Sequence, residues 1–254
     1  MDNWDKNIIT NENLNKLGGI KHFTSTKQSI SITCPRFTGD SPKIYSNARK
    51  KLGNVLGIDP HYLVFPRQTH SNNIEIIHQV PKEEIKNVDA MITNVPGICL
   101  CIQTADCVPI LLFDPVKKVI AVVHAGWRGT VRKILFHTVK RMNKEFRCKP
   151  ENIVVTIGPS ISQRKYEIGK EVIYEIKKIM DNPDLVLIYR KKSEKAYLDL
   201  WEANRLQLLE GGLSNENIYV SSICTFTDSD HFFSARRQGI ETGRIVTGII
   251  LKDE

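Results

Sequence analysis

Two side chains able to hold a transition metal, or to form a nucleophile–base pair, bracket the most apolar part of the chain. Cys107 precedes the run Val108–Phe113, and His124 ends the run Val119–His124. Between the runs, Asp114-Pro115-Val116-Lys117 has the makings of a type I turn, with Asp first and Pro second. A hairpin closed by that turn without a bulge sets Cys107 directly opposite His124, with both side chains on one face. Directly opposed Cβ atoms lie about 4.5–5.5 Å apart. A thiolate and an imidazole so placed can reach one metal ion, at about 2.3 Å and about 2.0–2.1 Å. They can equally hydrogen-bond as nucleophile and base. A buried core thiol and a strand-end histidine with an ordinary hydrogen bond fit the same placement.

A metal needs a third ligand, and His70 is the best candidate. It lies in Arg67-Gln68-Thr69-His70-Ser71-Asn72, a polar interruption between apolar strands. Of the others, His78 reads as part of a strand and His137 as part of a helix, while His22, His61 and His231 have only moderately polar neighbours. Three protein ligands leave a fourth position open, which is the geometry of a catalytic zinc ion.

A second feature follows His124 closely. Gly126-Trp127-Arg128-Gly129-Thr130 reads as a glycine-flanked loop opening a helix, where free N–H groups and the Arg128 fork favour a phosphate or carboxylate. An ordinary turn with a solvent-exposed Arg is the plainer alternative. A third is Phe232-Phe233-Ser234-Ala235-Arg236-Arg237, where paired arginines beside aromatics suit a planar or anionic ligand, or simply make a charged turn.

The elements that must position these groups alternate along the chain. Ser29–Cys34, Leu63–Gln68 and Asn73–Gln79 read as strands, and Tyr45–Leu56 as a helix stopping near Gly57. Ile98–Thr104, Val108–Phe113 and Val119–His124 are apolar on both faces and belong to a sheet covered on both sides. Helices are expected over Thr130–Phe146, Glu167–Met180 and Leu200–Leu209, the last closed by Gly211-Gly212. Strands are expected over Ile153–Ile157, Leu185–Tyr189, Ile218–Ile223 and Arg244–Leu251. With no linker, repeat or low-complexity segment, one α/β domain over residues 1–254 is the economical expectation.

Bulk composition narrows the function classes. Of 254 residues, 41% are hydrophobic and 25% charged, a globular balance that argues against disorder. The net charge of +8 could serve nucleic acid, a membrane surface or phosphate-bearing substrates. No basic helix interleaved with aromatics occurs, so neither nucleic acid nor membrane is expected as a partner. Six cysteines without a CxxC pair, mostly in apolar runs, read as free thiols and exclude a zinc ribbon. The polar start Met1–Asp5 lacks the apolar core of a signal peptide, so a cytoplasmic location is expected.

Together these segments resemble the YfiH family, long labelled multicopper polyphenol oxidase or laccase-like and now regarded as purine nucleoside phosphorylases. The resemblance rests on Gln68-Thr69-His70, Asp89-Ala90-Met91-Ile92-Thr93, Thr104-Ala105-Asp106-Cys107-Val108-Pro109 and His124-Ala125-Gly126-Trp127-Arg128-Gly129. It continues through Ile157-Gly158-Pro159, Tyr166-Glu167, Asp199-Leu200-Trp201-Glu202-Ala203-Asn204-Arg205, Phe232-Phe233-Ser234 with Arg236-Arg237, and Thr242-Gly243-Arg244. Two departures stand out. The glycine pair that usually follows the N-terminal segment is missing after Phe23-Thr24-Ser25-Thr26, and Arg164-Lys165 replace cysteines often found before Tyr-Glu.

The resemblance implies an α/β (α+β) fold: a four-layer αββα sandwich with mixed sheets, distantly shared with the cytotoxic necrotizing factor toxins. It implies a metal site of His70, Cys107 and His124, taking Zn2+ in preference to copper. The implied substrates are a purine nucleoside and phosphate, the protein acting as a monomer or weak homo-oligomer. Adenosine, inosine and methylthioadenosine would be phosphorolysed and adenosine deaminated, with Arg128 holding phosphate and Asp106 or a metal-polarised water as the acid. Some relatives are linked instead to editing of peptidoglycan precursors. Two rivals remain: a metal-free cysteine hydrolase built on Cys107 and His124, and a laccase-type oxidase. The laccase is the poorer one, because seven histidines without a His-x-His cannot build a multicopper centre.

Overall fold

The β-branched runs of the middle of the chain pair into two mixed sheets that stack face to face. The structure, a computed structural model, describes residues 7–39, 42–191 and 193–253, so the polar start over residues 1–5 lies outside the described residues. The six-stranded sheet runs Ile218–Val220, Val154–Ile157, Val108–Asp114, Val119–Ala125, Ala90–Thr93, Ile74–Ile76. Its two outer pairs are parallel and its inner ones antiparallel. The four-stranded sheet runs Ile20–Thr24, Ile245–Leu251, Cys99–Thr104, Leu63–Val64, with only the last pair parallel.

The helices are α1 Glu12–Leu17, α2 Lys27–Ile30, α3 Pro42–Leu56, α4 Trp127–Val131, α5 Ile134–Phe146, α6 Lys170–Ile179, α7 Leu200–Glu210 and α8 Ala235–Gln238. Alternation along each strand decides the layers. Leu100, Ile102 and Ile249 from one sheet meet Met91, Leu111, Ile120 and Val122 from the other in the central core. The opposite-pointing residues Ile110, Leu112, Ala121 and Val123 pack under Leu135, Val139, Val172, Ile176 and Leu208 of α5, α6 and α7. On the far side, Cys99, Cys101 and Val246 lie under Ala48, Leu52 and Leu56 of α3. The order of layers is helix, sheet, sheet, helix, as expected.

Five local expectations are corrected. Ser29–Cys34 is not a strand: Thr26 and Ser29 cap each other reciprocally and start α2, which buries Ile30. The helix expected over Thr130–Phe146 is two helices, broken at Lys133 with φ 55°. The Thr130 carbonyl, which a continuous helix would offer to Ile134, instead accepts from Lys133 N at 3.0 Å and Gln207 Nε2 at 2.6 Å. Glu167 and Ile168 form a short strand against Ala196–Leu198, and α6 begins only after Gly169. His78 lies just past the strand Ile74–Ile76.

The fifth correction touches the hairpin. Asp114 Oδ1 accepts from Val116 N and Lys117 N, both at 2.9 Å, so the expected turn forms. Lys118 follows it at φ 52°, and the closing pair is Asp114 with Val119. With Lys117 and Lys118 both left in the loop, the register moves by two, and His124 pairs with Pro109 rather than with Cys107.

Candidate metal centre

The shifted register displaces Cys107 along the strand but not through the sheet. Cys107 and Pro109 are two residues apart, so Cys107 still shares a face with His124, now as a diagonal neighbour. The position Cys107 would oppose is Gly126. A Cβ there would come within 3.0 Å of both Cys107 Sγ and His70 Cδ2, so glycine makes room for the sulfur and the ring. Cys107 itself ends the bend 105–107, where the chain passes from the four-stranded sheet to the six-stranded one.

His70, Cys107 and His124 offer three ligand atoms within 4.8 Å of one another, the one such group of three among the described residues. Cys107 Sγ lies 3.8 Å from His70 Nε2, and the two imidazole rings meet edge to face with centroids 4.9 Å apart. The three sequence-predicted ligands therefore converge. The donors fit a borderline-soft ion such as zinc, and their spacing suits ligands that share one centre. The Gly126 cradle adds to the fit, since it keeps the space between them clear of a side chain.

Asp89, whose role sequence reasoning missed, organises this centre. It stands just before the strand Ala90–Thr93, fully buried. His124 Nδ1–H donates to its Oδ1 at 2.7 Å, which leaves Nε2 as the free ring nitrogen. The same carboxylate accepts from the backbone N–H groups of Thr69 (3.2 Å), His70 (3.0 Å) and Ser71 (2.7 Å), and from Ser71 Oγ at 2.6 Å. His70 has φ 59°, a left-handed conformation uncommon outside glycine, and these bonds hold it there. One carboxylate thus orients two of the three ligands. The available signal was a lone Asp beginning an otherwise apolar run, Val88-Asp89-Ala90-Met91-Ile92.

The charges reinforce one another. Burial alone would raise the Asp89 carboxyl, but its bonds to His124 and Ser71 hold it down at about 2. Burial alone would likewise lower His124, yet the negative Cys107 and Asp89 on either side raise it to about 9. Cys107 is brought down to about 6 against its own burial by His124 and His70. Thiolate and imidazolium each favour the other here.

Asp106, a sequence-predicted acid, adjoins Cys107 but points elsewhere. Its Oδ1 accepts from Thr225 Oγ1 at 2.7 Å, and its Oδ2 from Ser234 Oγ at 3.0 Å and Arg236 N at 2.7 Å. With φ 90°, it ties the sheet crossover to the start of α8.

Arg128 lies on α4, exposed, with its guanidinium 4.4 Å from the Trp127 ring centroid. The expected glycine-flanked loop is therefore the first turn of a five-residue helix capped by Gly126.

Around the rim, sequence reasoning also passed over Tyr166 and Arg244. Burial first, and then the negative Cys107, push the Tyr166 hydroxyl well above the usual phenol range, so it keeps its proton. Arg244 is brought down to about 10 by burial and by Arg36, while Cys107 acts to raise it. Arg236 stacks over Tyr166 at 5.0 Å and donates from Nη1 to Glu167 O at 2.7 Å. Phe232 and Phe233 are core residues, packed with Ala105 and Ile245.

Residues 17–252 match the family described as multi-copper polyphenol oxidoreductase laccase. The chain belongs to this family. It is 39% identical to "Purine nucleoside phosphorylase" of Bacteroides thetaiotaomicron, over 97% of each chain. It is 36% identical to "Adenosine deaminase RL5" from an unknown prokaryotic organism, over 92% of this chain and 95% of that one. Among solved structures it resembles hypothetical protein YfiH of Bacillus licheniformis, with TM-score 0.88, 30% identity, and coverage of 98% and 97%. The laccase family thus includes relatives named for nucleoside chemistry. No helix of the described residues is long and apolar enough to cross a membrane.

Proposed function

We propose that this family member is a zinc-dependent purine nucleoside enzyme, cleaving adenosine, inosine and methylthioadenosine with phosphate and also deaminating adenosine. The observation that carries the reading is the convergence of His70, Cys107 and His124 within 4.8 Å. Its context is a chain similar along its length to proteins named for both reactions. Phosphorolysis breaks the bond from sugar C1′ to the purine nitrogen, joins a phosphate oxygen to C1′ and returns a proton to the base. Deamination adds water at C6 of the purine and releases ammonia.

His70, Cys107 and His124 would hold the ion, which supplies Lewis acidity at the open position when bound. Asp89 keeps His124 aligned and the His70 loop in place, so the ligands are set before the ion arrives. Arg128, free at the rim apart from its stack on Trp127, offers a planar fork to phosphate. Tyr166 keeps its proton and serves as a neutral hydrogen-bond donor toward the substrate. Asp106 accepts from two hydroxyls and an N–H, so both of its oxygens are engaged. It therefore holds Cys107 and α8 in place. Six free thiols fit the reducing cytoplasm.

One observation favours a second reading. Cys107, His124 and Asp89 are linked in the order of a nucleophile, a base and its orienting carboxylate, which is the arrangement of a cysteine hydrolase. Such an enzyme would act on an amide, for example in a cell-wall precursor. His70 supports the metal reading over it, because an imidazole 3.8 Å from Cys107 Sγ has no part in a dyad. A multicopper oxidase is disfavoured by donor supply, since the described residues gather only this one group of three.

The test is made at Cys107. Cys107→Asp retains an atom that zinc accepts but abolishes thiol chemistry; Cys107→Ala retains neither. Metal content and chromatographic products from adenosine, with and without phosphate, are measured for both variants. Retained zinc and turnover in Cys107→Asp, with loss in Cys107→Ala, supports the metalloenzyme. Full activity of thoroughly demetallated wild-type protein overturns the zinc dependence.

A further inference from the structure

The small three-stranded sheet beside α6 ends in an open edge. Its order is Glu167–Ile168, Ala196–Leu198, Leu187–Tyr189, so the last strand has a neighbour on one side only among the described residues. Arg190 N donates to Lys195 O at 3.0 Å, and Asp199 N donates to Val186 O at 2.8 Å. These bonds fix the even-numbered backbone groups of the strand toward Ala196–Leu198. In an antiparallel ladder the alternate residues point away, so Leu187 and Tyr189 turn their N–H and C=O groups to the open side.

Apolar surface gathers at the same edge. Eight large hydrophobic side chains are exposed among the described residues, and four of them are Tyr174, Leu185, Ile188 and Tyr189. These four lie on α6, on the turn Pro183–Leu185 and on the strand itself, a cluster rather than a scatter. Lys177 of α6 sits 5.2 Å over the Tyr189 ring and joins the helix face to the strand. Ile188, at the midpoint of the strand, is 57% exposed. Apolar side chains beside open backbone make a template for another strand.

Charge selects the occupant. Asp181 and Asp184 precede the strand, and Arg190 and Lys191 follow it. Arg190 is engaged by Glu167 at 2.7 Å, so Lys191, which is exposed like Asp184, carries the basic end. An edge that is acidic at one end, apolar in the middle and basic at the other is complementary to itself turned end for end. We propose that a second copy of this chain docks here, the two Leu187–Tyr189 strands pairing antiparallel about a two-fold axis at Ile188. Leu187 of each copy exchanges backbone hydrogen bonds with Tyr189 of the other. The two Ile188 side chains meet across the axis, and Lys191 of each copy lies alongside Asp184 of the other. Two three-stranded sheets become one of six strands. The proposal is independent of the chemistry at the metal centre.

Sedimentation equilibrium of the full chain over a wide range of concentrations tests it. Reversible monomer–dimer association is expected, with Kd about 10–100 μM for so small a contact. Ile188→Lys sets like charges opposite each other on the axis and should weaken association about tenfold or more. The side chain is exposed, so the fold is kept, which circular dichroism checks. Asp184→Lys and Lys191→Glu should each weaken association severalfold. The double variant should restore it, because reversing both ends leaves the edge complementary to itself. That rescue separates two-fold pairing from general adhesion. A chain that stays monomeric and leaves the edge to a different partner overturns the proposal. So does a dimer indifferent to Ile188→Lys, or a double variant that associates no better than either single one.

Discussion

Asp89 and His124 share a 2.7 Å hydrogen bond sealed from solvent, and through it the fold rather than a metal chooses which ring nitrogen of His124 faces Cys107. Asp89→Asn removes the charge while keeping the shape. Metal affinity is expected to fall about 10–100-fold, as for other residues that orient a ligand. Competition against a chromophoric zinc chelator measures it. An unchanged affinity would show that the carboxylate only supports the loop.

The same residue sets an acid limb of stability. The Asp89 carboxyl is depressed to about 2 in the folded protein, so its contribution is complete above its unfolded value. That contribution disappears as pH falls from near 4 through about 2, and amounts to about 2 kcal/mol. Unfolding by urea across that window should show the loss in wild-type protein and a flatter profile in Asp89→Asn. Parallel profiles would place the acid sensitivity elsewhere.

Cys107, held near 6 by its two imidazole neighbours, should be alkylated in metal-free protein with a rate that rises through about pH 6. An ordinary thiol would rise about two units higher. Peptide mapping by mass spectrometry distinguishes Cys107 from the exposed Cys34. Bound metal should suppress the reaction, and a midpoint near 8.5 would remove the ion pair from the account.

Gly126→Ala tests the cradle. The backbone there, φ −74° and ψ 173°, suits alanine, so the fold should persist with little change in melting temperature. The added carbon would sit 3.0 Å from Cys107 Sγ and from His70 Cδ2, and both must shift. Zinc affinity and turnover should drop together, by about tenfold or more, since a metal site holds its ligand distances to within about 0.2 Å. Full metal affinity would mean the ligands have slack that the structure does not display.

Arg128→Ala should impair phosphate-dependent cleavage more than phosphate-independent deamination, because only the former needs an anion beside the substrate. The side chain is exposed, so the fold is spared. Product chromatography from adenosine at several phosphate concentrations separates the two reactions. Equal loss of both would make Arg128 a general shaper of the rim.

The legible parts were those governed by side-chain type and period. The apolar runs around Cys107 and His124 announced paired strands, and the polar interruption at His70 announced a loop; the structure brings all three together. What stayed hidden depended on long-range partners. Asp89 acts on residues up to 35 positions away, and only the fold puts its carboxylate under His124 and the His70 loop. The break at Lys133 follows from Gln207 taking a carbonyl 77 residues earlier. Ser29–Cys34 has the alternation of a strand, but local capping by Thr26 competed with it and won.

The hairpin between Cys107 and His124 behaves as a parity filter on its own length. Its strands slipped by two positions relative to the simplest pairing, and the thiol and the ring remained on one side of the sheet. A slip of one would have turned one of them toward the opposite layer and undone the centre without changing a single ligand. Insertions or deletions in the 115–118 loop that are absorbed by sliding the strands should therefore be tolerated in steps of two and rejected in steps of one. Loop length, a property with no chemistry of its own, becomes a condition on whether the chemistry exists.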